Sequence, residues 1–191
     1  SQENILIYAG SGGVGTIAIQ LAKYLGAYVT ATTSTRNVDM VKKLGSDKVI
    51  DYTDKNFEEL GEQFDVVYDT LGGEYTLNSF KVLKPGGRVV SIAGDLDEIT
   101  AQQLKLNRFI RFLLSLKAKK VINAASKLGA SYRFLLMSPN GGQLKKLCEL
   151  YESGKIKPVI DKTYPFEESI QAIKYLSEGH AKGKVVVKML K

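Results

Sequence analysis

Asn4-Ile5-Leu6-Ile7-Tyr8-Ala9-Gly10-Ser11-Gly12-Gly13-Val14-Gly15 is the stretch from which the rest of the chain can be read. The run from Asn4 to Ala9 has the length and composition of a buried strand. From Val14 to Leu25 the apolar residues Ile17, Ala18, Leu21, Ala22 and Leu25 recur at helical spacing. Between them Gly10, Gly12 and Gly15 stand in the G-x-G-x-x-G spacing. In a strand, turn, helix context each glycine has its own task. Gly10 permits a tight turn, Gly12 lets backbone approach a pyrophosphate, and Gly15 lets the helix pack closely on the strand. The amides at the start of such a helix carry the positive end of its dipole toward an anion.

Outward from this unit the same alternation continues. Tyr28 to Thr33 is rich in β-branched residues, and Val38 to Leu44 is a short helical pattern stopped by Gly45. Lys48 to Asp51, Phe64 to Thr70 and Arg88 to Ala93 are further apolar strands. The spacing then predicts a long helix from about Thr100 to Leu128, a strand from Tyr132 to Met137 and a helix from Gly142 to Glu152. Lys157 to Thr163 is expected to be extended, Glu167 to Ser177 helical, and Lys184 to Met189 a terminal strand. Strands apolar on both faces and alternating with helices imply a parallel sheet covered on both sides. The expected fold is a doubly wound α/β domain of three layers, α/β/α, in the Rossmann strand order 3-2-1-4-5-6. With 191 residues and no repeat or linker, residues 1–191 are read as one domain.

The end of the second strand sets the cofactor. NAD enzymes place Asp or Glu there to accept from the ribose 2′-hydroxyl. Here the stretch is Thr32-Thr33-Ser34-Thr35-Arg36-Asn37, with hydroxyls and one guanidinium in place of the carboxylate. A carboxylate would repel a 2′-phosphate, whereas Ser34 can donate to it and Arg36 can make a charge-assisted bond, so NADPH is favoured over NADH. In the plainer reading Ser34 and Thr35 cap the next helix and Arg36 is solvated, and the two roles are compatible. A methyltransferase also combines a glycine turn with a segment like Leu83-Lys84-Pro85-Gly86-Gly87-Arg88-Val89, but it wants an acidic residue at the second strand end.

Composition narrows the field further. A formal charge of +7 could suit nucleic acid, but most lysines are spread singly along helical segments without an aromatic-interleaved stripe, which argues against nucleic acid. One cysteine and one histidine cannot supply the usual zinc set, so no metal site is expected. Cys148, flanked by apolar residues, is read as a buried small hydrophobe. No apolar stretch approaches the roughly 20 residues of a membrane-spanning helix, and no export signal opens the sequence, so a soluble, cytoplasmic protein is expected. Between Arg108 and Lys120 cations interleave with apolar residues. That segment is expected to pack its apolar side inward and leave its charges wet rather than to contact a membrane.

Six blocks in order resemble the medium-chain dehydrogenase/reductases, and within them the quinone oxidoreductase and enone reductase branch. They are Ala9 to Lys23 with the glycine turn; Leu44-Gly45-Ser46-Asp47 with Val49-Ile50-Asp51-Tyr52; Phe64 to Gly73; Leu83 to Val90; Gly154 to Asp161; and Gly179 to Val186. The C-terminal third is most similar to the reticulon-interacting mitochondrial quinone oxidoreductases and their bacterial relatives. The resemblance implies that Ser11, Gly13 and Val14 meet the pyrophosphate, Ser34 and Arg36 the 2′-phosphate, and Tyr52 the adenosine side. It places Leu71, Gly72, Ala93 and Gly94 on the nicotinamide side, with Phe134, His180, Ala181 and Lys182 closing over the cofactor. Hydride would pass to a small quinone or enone, without zinc, and no catalytic residue is assigned. The alternative is a non-catalytic dinucleotide sensor or interaction module. Family members carry a β-rich GroES-like catalytic domain ahead of the glycine turn. It is absent from these residues, so cofactor binding without efficient turnover is expected of the chain alone. Relatives suggest a homodimer through the sheet edge near Tyr132 to Met137.

Overall fold

β1 (Asn4–Ile7) enters the glycine turn and leaves it as α1 (Gly15–Tyr24) in a computed structural model that describes residues 2–54, 57 and 61–189. β2 (Tyr28–Thr33), a 3-10 turn (Thr35–Asn37), α2 (Val38–Lys43), β3 (Lys48–Asp51), β4 (Phe64–Asp69), α3 (Glu74–Ser79) and β5 (Leu83–Ser91) follow. Beyond them come α4 (Glu98–Gln103), α5 (Arg108–Lys127), β6 (Ser131–Phe134), α6 (Gly141–Glu152) and β7 (Ile160–Pro165). A 3-10 turn (Phe166–Glu168), α7 (Ser169–Ser177) and β8 (Lys184–Lys188) complete the described chain. β1 to β6 form one parallel sheet in the order β3-β2-β1-β4-β5-β6, as the sequence predicts.

Strand alternation divides the core between the two faces. In β1 and just beyond it, Leu6 and Tyr8 join Val67, Val89, Val121 and Ala125 on one side, beneath α3 and α5. Ile7 joins Ile19, Val29, Ala31 and Val41 on the other, beneath α1 and α2. Neighbouring residues of one strand thus feed opposite cores, the reason a parallel strand reads as an unbroken apolar run. β1 pairs with β2 on one edge and β4 on the other. The chain direction across the sheet therefore reverses beside β1, which opens a crevice at the carboxyl ends of the strands.

The structure departs from the sequence reading at several points. The expected helix from Thr100 to Leu128 is two helices, because Lys105 adopts a left-handed φ of 53°. Each half then has its own N-cap, with Asp97 accepting from the amide of Thr100 and Asn107 from that of Ile110. β6 ends at Phe134, and Leu135, Leu136 and Met137 leave it exposed at the outer edge of the sheet. β5 starts earlier than expected, at Leu83, with an irregular register against β4. β7 and β8 pair with each other as a separate parallel sheet. Cys148 is exposed, not buried, because it falls on the outer side of α6, whose buried residue is Leu150.

Candidate functional site

At the carboxyl end of β1 the left-handed residue of the turn is Ala9, with φ 49°, so the turn itself does not need Gly10. Gly10 is required by packing instead: a Cβ there would sit 2.9 Å from that of Ala31 and 3.1 Å from Ile19 Cδ1. Gly15 is the strictest of the three, since its Cβ would stand 2.2 Å from Ala9 O. The amide of Gly12 closes the turn on Ala9 O at 2.9 Å, and that of Thr16 reaches Gly12 O at 3.0 Å. Among the described residues the amides of Gly13, Val14 and Gly15 find no backbone acceptor. These are the unpaired donors that a helix N-terminus offers to an anion.

The C-terminal segment lies over this turn. Gly183 donates to Ser11 O at 2.9 Å and bridges Gly12. A Cβ on Gly13 would lie 3.1 Å from Lys184 Nζ, so an ammonium stands beside the turn. Lys184 is a residue the sequence reading did not single out. Asp161 fixes the segment further, accepting from the amide of Lys182 at 3.0 Å and from the Tyr175 hydroxyl at 2.7 Å. Burial works against the Asp161 charge, but those bonds hold its carboxyl below the usual range.

Ser11, Ser34 and Arg36 converge at the end of β2 through two residues of different visibility in the sequence. Asn37, buried, donates from one amide nitrogen to Ser11 Oγ at 3.2 Å and to Ser34 Oγ at 3.3 Å. Its Oδ1 is buried without a partner among the described residues, a polar atom of the kind that an incoming donor would satisfy. Arg36 Nη2 lies 3.1 Å from His180 Nδ1. A guanidinium only donates, so this bond requires an unprotonated Nδ1. The two are 144 positions apart, and the fold brings them together. The end of the neighbouring strand β3 carries Asp51, which hydrogen bonds with Thr35 and Thr53 hold below the usual carboxylate range.

On the other side of β1, Asp69 ends β4 with no measurable exposure. Its Oδ1 accepts from the amides of Leu71 and Gly72, each at 2.9 Å, and its Oδ2 from the hydroxyls of Thr76 at 2.5 Å and Ser91 at 2.8 Å. Ser91 Oγ in turn accepts from the amides of Ala93 at 3.2 Å and Gly94 at 2.8 Å. One carboxylate therefore organises both loops that the sequence assigned to the nicotinamide side. The sequence reading saw Asp69 only as a strand-end polar residue. Its signal was an acid closing an apolar strand just before Leu71-Gly72-Gly73. Gly72 and Gly94 are also sterically compelled, with Cβ positions 2.2 Å from Ala93 O and 2.6 Å from the Tyr132 hydroxyl. That hydroxyl donates to Asp95 O at 2.6 Å, and burial pushes its ionisation far above the ordinary tyrosine value.

Between these two ends lies a cavity of about 330 Å³ bounded by Ala9, Ser11, Gly12, Tyr52, Leu71 and Ala181 with five neighbours. Tyr52 and Leu71 are both exposed on its rim. His180 stands beside it in the chain, between the lining residues Gly179 and Ala181. Phe134 does not line it: the ring is half-buried at the end of β6, where its amide donates to Asp97 at 3.1 Å and its carbonyl accepts from Thr100. Among the described residues, no three His, Cys, Asp or Glu side chains group as a metal ion would need.

A family model described as zinc-binding dehydrogenase matches residues 44–187. The chain belongs to this family, within the medium-chain dehydrogenase/reductase superfamily. It is 41% identical over 192 residues to the 2-methylene-furan-3-one reductase of Solanum lycopersicum, covering 98% of this chain and 40% of that one. It is 33% identical over 196 residues to the mitochondrial NAD(P)H oxidoreductase RTN4IP1 of Danio rerio, covering all of this chain and 50% of the relative. Among solved structures, the quinone oxidoreductase from Coxiella burnetii superposes with a TM-score of 0.81 at 31% identity, over 100% of this chain and 54% of that one. The chain thus spans about half or less of the length of these zinc-binding dehydrogenase relatives.

Proposed function

We propose that this chain is the NADPH-binding part of an oxidoreductase that passes hydride to a quinone or to an α,β-unsaturated carbonyl. The observation that carries the reading is the cluster at the end of β2. Ser34 is joined to Ser11 through Asn37, and Arg36 is held by His180, where an NAD enzyme would present a carboxylate. NADPH, when bound, supplies the hydride. The chain's own residues supply binding and orientation. The open amides of Gly13, Val14 and Gly15, with Lys184 beside them, would take the pyrophosphate. Ser34 and Arg36 would take the 2′-phosphate by charge-assisted bonds. Tyr52 would border the adenosine, while Leu71, Gly72, Ala93 and Gly94 would form the wall against the nicotinamide. Ala181 and Lys182 would bound the cleft, with His180 beside Ala181 holding Arg36. The substrate class comes from the relatives: an enone reductase in tomato, quinone oxidoreductases, and an NADPH-dependent alkenal/one oxidoreductase of Arabidopsis thaliana that is 38% identical over 189 residues.

Calorimetric titration with NADPH and with NADH at one salt concentration tests the assignment. NADPH is expected to bind at least about tenfold more tightly, and Arg36→Ala to remove most of that difference while leaving NADH unchanged. Equal affinities in the unmodified chain would overturn the NADPH assignment. No binding of either would overturn the oxidoreductase reading.

A further inference from the structure

The outer face of α5 is apolar over its first turns. Stepping 100° per residue along this 20-residue helix, Leu114, Ala118, Val121 and Ala125 fall on one stripe, and the last three are buried against the domain. Phe109, Phe112, Leu113 and Leu116 fall on the opposite side, 70%, 59%, 49% and 52% exposed. For its first turns the helix is therefore apolar outward, the reverse of the arrangement its sequence suggests and of a surface helix in general. It carries Arg108, Arg111, Lys117, Lys119, Lys120 and Lys127 and not one carboxylate. Arg111 pairs with Glu98 and Lys117 with Asp95, whereas Arg108, Lys119 and Lys120 have no ion pair among the described residues. Lys119 and Arg108 flank the apolar stripe on one side, Lys117 flanks it on the other, and Lys120 continues it toward the C-terminus.

We propose that α5 is an interfacial helix that lays Phe109, Phe112, Leu113 and Leu116 on an anionic lipid bilayer, with Arg108, Lys119 and Lys120 against the headgroups. Two aromatic rings and two leucines between cations are what such a surface binds, by apolar burial and electrostatic attraction together. The charge decides against a second copy of the chain. A two-fold contact through this stripe would set Arg108, Lys119 and Lys120 beside their own copies, with no acid on either helix to answer them. A bilayer rich in anionic lipid supplies the missing sign. Among the described residues no helix is long and apolar enough to cross a membrane, so α5 would lie in the interface plane.

Flotation of the whole chain with two kinds of vesicle tests this: phosphatidylcholine alone, and phosphatidylcholine with about 30 mol% phosphatidylglycerol. The chain is expected to float with the anionic vesicles only and to detach as salt is raised. Phe112→Glu with Leu116→Glu, and separately Lys119→Glu with Lys120→Glu, are each expected to lower partitioning more than about tenfold. All four side chains are exposed, and an unchanged urea midpoint is the check that the variants fold. Absence of flotation, equal flotation with neutral vesicles, or variants that float like the parent would each overturn the proposal. So would a dimer in sedimentation, abolished by Phe112→Glu, in a chain that ignores vesicles, because the face would then belong to a second copy.

Discussion

Asp69 and Ser91 are joined across β4 and β5 by a 2.8 Å hydrogen bond, and between them they hold the amides of Leu71, Gly72, Ala93 and Gly94. Four loop amides depend on one buried charge. Asp69→Asn keeps an oxygen for Leu71 and Gly72 but turns an amino group toward Thr76 and Ser91, whose hydroxyls can rotate to accept. Asp69→Ala leaves every donor unmet. We expect a loss of about 2 kcal/mol for the first and about 4 kcal/mol or more for the second, from urea midpoints at unchanged m value. A negligible loss for Asp69→Asn beside a large one for Asp69→Ala would mean that the side chain acts by filling space rather than by accepting bonds.

Gly72 and Gly86 offer a matched comparison, since both adopt φ 76°. Among the described residues a Cβ on Gly86 meets nothing within 4 Å, whereas one on Gly72 would stand 2.2 Å from Ala93 O. Gly86→Ala is expected to cost about 1 kcal/mol, the backbone strain alone. Gly72→Ala is expected to cost about 3 kcal/mol, because the two loops must also move apart. The difference between the two urea midpoints isolates the contact of Gly72 with Ala93.

The parts of this protein that were legible in sequence are those set by local pattern. The glycine spacing, the apolar strands and their alternation with helices led to the sheet order, because each rests on residues within one or two turns of one another. The break between α4 and α5 was hidden because Lys105, an ordinary helix former, takes a left-handed conformation. The outward face of α5 was hidden because an apolar stripe does not say which side of it meets the core. At the site, Ser34 and Arg36 could be read from the absence of an acid at the end of β2. Asn37 and Asp69 could not, since their partners Ser11 and Ser91 are 26 and 22 positions away.

Acid should weaken the fold through Asp65. Its carboxylate accepts from the amide of Asn4 at 2.8 Å and pairs with Lys84 at 2.9 Å, bonds that hold it below the ordinary aspartate range. A carboxyl depressed in the folded state adds stability above its unfolded value near 3.9 and loses it as pH falls through the folded one. Asp65→Asn should therefore be less stable than the parent at pH 7, with the gap closing below about pH 4. Urea midpoints at the two pH values measure this. Parallel acid losses in both proteins would show that Asp65 does not contribute.

His180 should act on the cofactor through Arg36. The imidazole takes one of the five guanidinium N–H groups and leaves the others free for a phosphate, so it orients Arg36 without occupying it. Removing it should let the long side chain wander. His180→Ala is then expected to weaken NADPH binding about threefold, less than the tenfold or more expected of Arg36→Ala, with neither changing NADH. The double variant should bind NADPH as Arg36→Ala does, because the histidine has nothing left to orient. Losses that add in the double variant would mean that His180 meets the cofactor independently of Arg36. An increase in NADPH affinity on removing His180 would mean that it competes with the phosphate for the guanidinium.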